Sequence, residues 1–241
     1  QDYSKNFSRD EVRQTVIPTY MGLIKQLDDH IGRVLAKLDE KGLRENTLVV
    51  LTSDHGDYLG DHWLGEKDLH HDPSIRIPLI ISDPSDAANS TRGSISDALV
   101  EAIDLVPTLT EYAGAKICSE RLEGRSLTPL MQGRLPSGSW RDYIISEIDY
   151  SDRGPRTLLN LHPYDCRARV IRTHQWKYVL HERFRPQLYN LVDDPNEFTD
   201  LGDDPNCAEI RADLHEALFA WHRKLKSRTE AQADRLLTMG P

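Results

Sequence analysis

Leu48-Val-Val-Leu-Thr-Ser-Asp-His-Gly-Asp-Tyr-Leu-Gly-Asp-His-Trp-Leu-Gly-Glu-Lys67 is an apolar run that stops at an Asp-His-Gly turn and continues into a glycine-bearing loop. Its first residues, Leu48 to Leu51, are continuous, apolar and rich in β-branched side chains, the pattern of a strand buried on both faces. In open α/β sheets ligands bind outside the carboxyl ends of strands, and Asp54 and His55 are the first reactive residues past this one. A carboxylate beside an imidazole, with Gly56 turning the chain, can aim two donors at one divalent cation. Lys67 lies twelve residues beyond His55, across a loop holding Gly56, Gly60 and Gly65. An ammonium returned over such a site neutralises an anionic substrate. Taken singly, the Asp-His pair reads equally as a turn with an Asx hydrogen bond, and Lys67 as a solvated surface lysine.

The flanking segments supply an α/β frame. Ser8-Arg-Asp-Glu11 has the form of a capping box opening a helix, and Pro18 is expected to kink or restart it. Apolar residues at Tyr20, Leu23, Ile24, Leu27, Ile31, Val34, Leu35 and Leu38 keep a helical period until Gly42, so this helix is expected to pack on a sheet. His30, between Asp28-Asp29 and Ile31, is not expected to form a site, because neighbours on a helix point in different directions. Arg76-Ile-Pro-Leu-Ile-Ile81 reads as the next buried strand, with Pro78 near its start. Asp83 to Ser96 reads as a surface loop. Asp104-Leu-Val-Pro-Thr opens a short helix, Asp104 as its cap and Gly114 at its end. Beyond a turn-rich stretch, Tyr143–Ile148, Ala168–Thr173, Lys177–Leu180 and Gln187–Leu191 read as short antiparallel strands. A helix with Ile210, Leu214, Leu218, Trp221 and Leu225 on one face would cover them.

Four blocks resemble the sulfatase branch of the alkaline phosphatase superfamily, most nearly the phosphonate monoester hydrolases and arylsulfatases. They are Leu27-Asp-Asp-His-Ile-Gly-Arg-Val34; Thr52-Ser-Asp-His-Gly56 with Leu59-Gly-Asp-His62 and Lys67; Arg76–Ile81 with Asp104-Leu-Val-Pro-Thr-Leu109; and Leu188-Tyr-Asn-Leu-Val-Asp-Asp-Pro-Asn-Glu197. The resemblance implies an alkaline-phosphatase-like α/β sheet flanked by helices, with a small carboxyl-terminal antiparallel sheet and a covering helix. It implies that Asp54 and His55 are metal ligands and that Lys67 contacts the transferred sulfuryl or phosphoryl group. His62, within the same loop, is a candidate substrate contact. The implied cofactor is one divalent metal ion, calcium or manganese by its carboxylate-rich ligands, with zinc or iron open because of the imidazole. The family's nucleophile is a formylglycine made from the cysteine of a Cys-x-Pro-x-Arg motif. Cys118, Cys166 and Cys207 are followed by Ser-Glu-Arg, Arg-Ala-Arg and Ala-Glu-Ile, so none fits it.

The expectation is therefore a carboxyl-terminal part of a metal-dependent hydrolase, and the Gln1 start agrees with a piece of a longer protein. Residues 1–138 would complete the α/β core and 139–226 form the antiparallel subdomain. Residues 227–241 would be a tail used in homo-oligomer contacts. The expected partners are the missing amino-terminal half and an anionic sulfate, phosphonate or phosphodiester substrate. The other reading is a non-catalytic structural or interaction fragment. A two-metal phosphomutase or pyrophosphatase needs further Asp and His ligands; His70, His71 and Asp72 are read instead as a solvated loop at the site's rim. The acidic run from Asp193 to Asp204 lacks the spacing of an EF-hand and reads as a solvated turn.

Composition narrows the field further. A net charge of -9 over 241 residues, with no basic stripe, argues against nucleic acid. No apolar run reaches the roughly eighteen residues of a membrane span. Three scattered cysteines do not suit a disulfide framework and suggest a reducing, cytoplasmic compartment.

Overall fold

The computed structural model describes residues 4–119, 121–135 and 140–224. Its main elements, in order, are α1 (Ser4–Phe7), α2 (Asp10–Glu40), β1 (Val49–Thr52), α3 (Asp72–Ile75), β2 (Leu79–Ser82), α4 (Leu105–Tyr112), α5 (Thr128–Met131), β3 (Ile144–Asp149), α6 (Gly154–Leu158), β4 (Arg167–Arg172), β5 (Trp176–His181), β6 (Gln187–Asn190) and α7 (Ala208–Arg223). The fold is mixed α/β. It comprises two compact units, one holding the described residues up to Ser94 with 131–133, the other Ile95–Leu130 and the described residues from Arg134 onward.

In the first unit α2 starts at Asp10, with Arg9 in the capping position and no side-chain cap. The capping box expected at Ser8 does not form, because α1 precedes it and the Arg9 N–H turns back to the Asn6 carbonyl at 3.1 Å. Asp10 and Glu11 in the first turn favour the helix dipole instead. Pro18 lies inside the helix without ending it; its ring removes one backbone donor while the turns on either side persist. The helix closes in a Schellman motif, with Leu43 N–H donating to the Leu38 carbonyl (2.9 Å), Gly42 N–H to the Asp39 carbonyl (3.0 Å), and Gly42 at φ +64°.

The expected packing of α2 on a sheet is only partly realised. No described side chain of α2 is buried, and Leu23, Leu27 and Val34 are exposed. The reason is geometric: β1 and β2 form a two-stranded antiparallel ribbon, registered from Val49↔Ser82 to Thr52↔Leu79. Two strands about 5 Å apart cannot cover a helix of 31 residues, roughly 46 Å long. β1 is accordingly half-buried, not buried on both faces. The stretch from Asp83 to Ser96 is less open than expected, since Asp83 and Ala88 are buried and Asp86–Thr91 forms a 3₁₀ helix.

In the second unit β3-β4-β5-β6 form an antiparallel sheet in sequence order. Alternation along the strands divides its apolar side chains between two faces. Ile171, Tyr178 and Leu188 pack with Cys207, Leu214 and Leu218 from the α7 region, as the helical spacing predicted. Val170, Val179 and Tyr189 form a cluster of their own. Each fully buried side chain of this size contributes roughly 1.5–3 kcal/mol. Leu225 and the tail 227–241 lie outside the described residues.

Two polar networks fix this unit. Asp104 is buried and caps the 3₁₀ turn Ala102–Asp104, its Oδ2 accepting from Glu101 N–H at 2.8 Å. Its Oδ1 accepts from Arg125 N–H and Arg141 Nη2, both at 2.7 Å. Arg141 also reaches Glu101, whose Oε1 accepts from Ile145 N–H at 2.7 Å, anchoring β3. The acidic segment after β6 is not a solvated turn: Glu197 is buried against Lys177, and Asp200 accepts from Leu188 N–H (3.1 Å) and Gly202 N–H (2.8 Å). Its acids answer the buried ammonium of β5 and the open backbone donors of β6. No helix among the described residues is long and apolar enough to cross a membrane.

Candidate metal and substrate site

β1 ends at Thr52, and the backbone leaves it through Ser53, whose hydroxyl donates to the His55 carbonyl at 2.8 Å. His55 N–H in turn donates to Asp54 Oδ1 at 3.0 Å. This local turn sets the two side chains together, with Asp54 Oδ2 3.5 Å from His55 Nε2. His55 Nδ1 is 2.7 Å from the Gly56 carbonyl. A carbonyl can only accept, so Nδ1 carries the proton and Nε2 presents a lone pair, the tautomer a metal requires. The Asp54 carboxyl is held below the usual aspartate range by its own backbone N–H, with smaller contributions from His55 and Lys67. It is therefore an anion aimed at the same point.

Lys67 completes the corner. Its Nζ contacts His55 Nε2, twelve residues back in the chain. The loop that returns it is pinched twice: Tyr58 N–H donates to the Glu66 carbonyl and Gly60 N–H to the Leu64 carbonyl, both at 2.8 Å. Within it and at its exit Leu59, His62, Trp63, Glu66 and Asp68 all take positive φ although none is glycine. Such residues cost roughly 1–3 kcal/mol each and persist only where their surroundings hold them, which is common beside functional sites. Gly56 is sterically fixed: a Cβ there would meet the Pro73 carbonyl oxygen at 2.0 Å, while its N–H donates to the Ser74 carbonyl at 2.7 Å.

Asp54, His55 and Lys67 are thus brought together, an arrangement that the strand end and the glycine-bearing loop allow. His62, at φ +52°, has its ring stacked on His71 at 3.9 Å and 18°. The reading of His70-His71-Asp72 as a solvated loop is corrected. His70 is buried, and His71 Nδ1 shares a hydrogen bond of 2.9 Å with the Tyr58 hydroxyl. Sequence reasoning missed this arrangement, whose only signal was the adjacency of two histidines a few residues past the loop.

The donor pair fits a divalent cation. One cation, the Lys67 ammonium, already sits on the Nε2 lone pair beside the Asp54 carboxylate. Among the described residues no group of three or more His, Cys, Asp or Glu converges on one point, so the described residues offer two ligands here of the three or four usual for a tight site.

The profile of the sulfatase family matches residues 1–115, and that of the carboxyl-terminal region of N-sulphoglucosamine sulphohydrolase matches residues 60–224. The chain belongs to the sulfatase family, within the alkaline phosphatase superfamily. It is 37% identical over 222 residues to the multifunctional alkaline phosphatase superfamily protein PehA of Trinickia caryophylli, covering 91% of this chain and 42% of that protein. It is 31% identical over 216 residues to an arylsulfatase of Clostridium perfringens, covering 89% and 41%. The phosphonate monoester hydrolase of Agrobacterium radiobacter superposes with a TM-score of 0.83 at 31% identity, over 90% of this chain and 43% of that one. The chain therefore spans about two fifths of the length of these relatives and corresponds to their carboxyl-terminal part.

Proposed function

We propose that the complete protein is a metal-dependent hydrolase of sulfate esters, phosphate diesters or phosphonate monoesters, and that this chain supplies one side of its active site. The observation that carries the reading is the convergence of Asp54, His55 Nε2 and Lys67 Nζ on one point past the end of β1. Asp54 and His55 would hold one divalent ion, calcium or manganese by preference, with zinc or iron admissible. When bound, such an ion supplies Lewis acidity and lowers the pKa of a nucleophile beside it. Lys67 binds the anionic sulfuryl or phosphoryl oxygens and stabilises the charge that develops on them. His62, on the same loop, would contact the substrate's organic group or leaving group. The formylglycine nucleophile and the remaining metal ligands belong to the amino-terminal half. That half also covers the exposed stripe of Leu23, Leu27 and Val34 on α2 and the edges of the β1–β2 ribbon.

A second reading has its own observation. Two ligands alone hold a divalent ion weakly, so the polypeptide by itself acts as a structural fragment and is inactive. The first reading is tested by Asp54→Asn in the complete protein, assayed with sulfate, phosphodiester and phosphonate esters alongside metal analysis, and the second by the same assays on this polypeptide alone, where any turnover overturns it. Loss of metal together with activity supports the proposal. Full metal content and full activity in the variant overturn it.

A further inference from the structure

We propose that Tyr58 and His71 are positioning residues for Lys67, acting through the backbone of the loop between them and through the face of His62. The inference rests on the reading of Lys67 as the cation that meets substrate. The Tyr58 N–H is bonded to the Glu66 carbonyl, and Glu66 immediately precedes Lys67. Whatever fixes Tyr58 therefore fixes where the Lys67 side chain begins.

Tyr58 is fixed from outside the loop. Its ring is buried, and its hydroxyl is bonded to His71 Nδ1 at 2.9 Å. His71 occupies the capping position of α3, and Ser74 within α3 accepts the Gly56 N–H at 2.7 Å. One bracket thus joins the Asp54-His55-Gly56 turn, α3 and the base of the Lys67 loop. The loop's tip is gripped as well, since His71 stacks on His62 and Tyr58 stands edge-on to both rings at 5.8 and 6.2 Å. Five non-glycine residues of the loop and its exit hold positive φ, so its backbone has lower-energy conformations available once the bracket is cut. The Tyr58 hydroxyl is the smallest group whose removal cuts it.

The test is Tyr58→Phe in the complete protein, alone and combined with Lys67→Ala. Acetylation of Lys67 by an amine reagent, read by peptide mass spectrometry against exposed Lys25, is expected to change several-fold in Tyr58→Phe, because the ammonium leaves its seat on His55. The value of kcat/KM is expected to fall about 10- to 100-fold, the scale of a misplacement near 1 Å, with metal content unchanged. In the Lys67→Ala background the same change is expected to cost less than about twofold, since the two act as one unit. His71→Ala, which removes both the Nδ1 partner of Tyr58 and the ring stacked on His62, gives the same pattern. Unchanged Lys67 reactivity overturns the positioning role, and equal losses in both backgrounds reduce Tyr58 to a general structural part. Altered reactivity with a fully active Lys67→Ala keeps the positioning and overturns only the functional reading of Lys67.

Discussion

Lys177 Nζ lies 2.5 Å from Glu197 Oε1, and both side chains are closed to solvent. The lysine projects from the middle strand pair of the β3–β6 sheet, and the glutamate comes from the loop after β6, at φ +59°. Desolvating either charge alone is expensive, so the pair holds that loop against the sheet. Lys177→Met leaves a buried carboxylate without its counter-charge and should cost about 3–5 kcal/mol. Lys177→Met with Glu197→Met should cost clearly less than the single change, since both charges are then gone. Urea midpoints of the complete protein check this, and a double variant as weak as the single one would show that the charge is not what matters.

Arg141 bridges Glu101 and Asp104, and Glu101 carries a pH dependence with a defined sign. Burial raises the Glu101 carboxyl above the ordinary glutamate range, against the opposing pull of the Ile145 N–H and of Arg141. A carboxyl that binds its proton more tightly folded than unfolded contributes most below its unfolded pKa. That contribution is lost as pH rises through the raised folded value. Relative to Glu101→Gln, which has no such proton, the wild-type protein should lose stability across that window and run parallel above it. Denaturation at a series of pH values reads this difference, and a wild-type gain with rising pH would mean that Arg141 dominates over burial.

The antiparallel strands and α7 were legible in the sequence because alternation and helical period are local signals, and both Tyr178 and Leu214 sit where those periods place them. Asp54, His55 and Lys67 were legible because a strand end and a glycine-bearing loop allow that arrangement and because Thr52-Ser-Asp-His-Gly56 with Lys67 resembles the sulfatase motif; the residues alone left the turn and surface-lysine readings open. The buried roles of Glu197 and His70 were not, since acidic and imidazole side chains are usually solvated and only the tertiary partner reverses that. α2 shows the converse: its apolar period is correct, but the surface it fits is not made by β1 and β2. Ser8 failed as a cap because α1, too short to announce itself, occupies the preceding residues.

Gly56 is the narrowest point of the candidate site. A methyl group there meets backbone, the Pro73 carbonyl oxygen at 2.0 Å, so no side-chain rotation relieves it. Gly56→Ala should push α3 away from the Asp-His turn and break the Gly56–Ser74 hydrogen bond. The expected outcome is loss of bound metal and of at least about 10²-fold in activity, because the donors are no longer held in place. Circular dichroism should show the β3–β6 sheet intact, as that sheet belongs to the other unit. Normal metal binding in Gly56→Ala would show that the turn adapts.

Lys67 separates charge from geometry. Its ammonium is a point charge at the end of a flexible stem, whereas arginine carries the same charge on a wider planar fork. If the role is stabilisation of charge developing on sulfuryl or phosphoryl oxygens, Lys67→Ala should lower kcat by about 10²–10³ with metal content retained. Lys67→Arg should recover part of that loss, because the charge returns, but not all of it, because the fork does not fit a seat shaped by His55 Nε2 and Asp54. Measured on complete protein with each ester class, equal losses on all of them indicate a contact to the transferred group common to the substrates. A loss confined to one class would place Lys67 against the organic portion, and a rise in KM alone would mean a contact made equally in the ground state and the transition state.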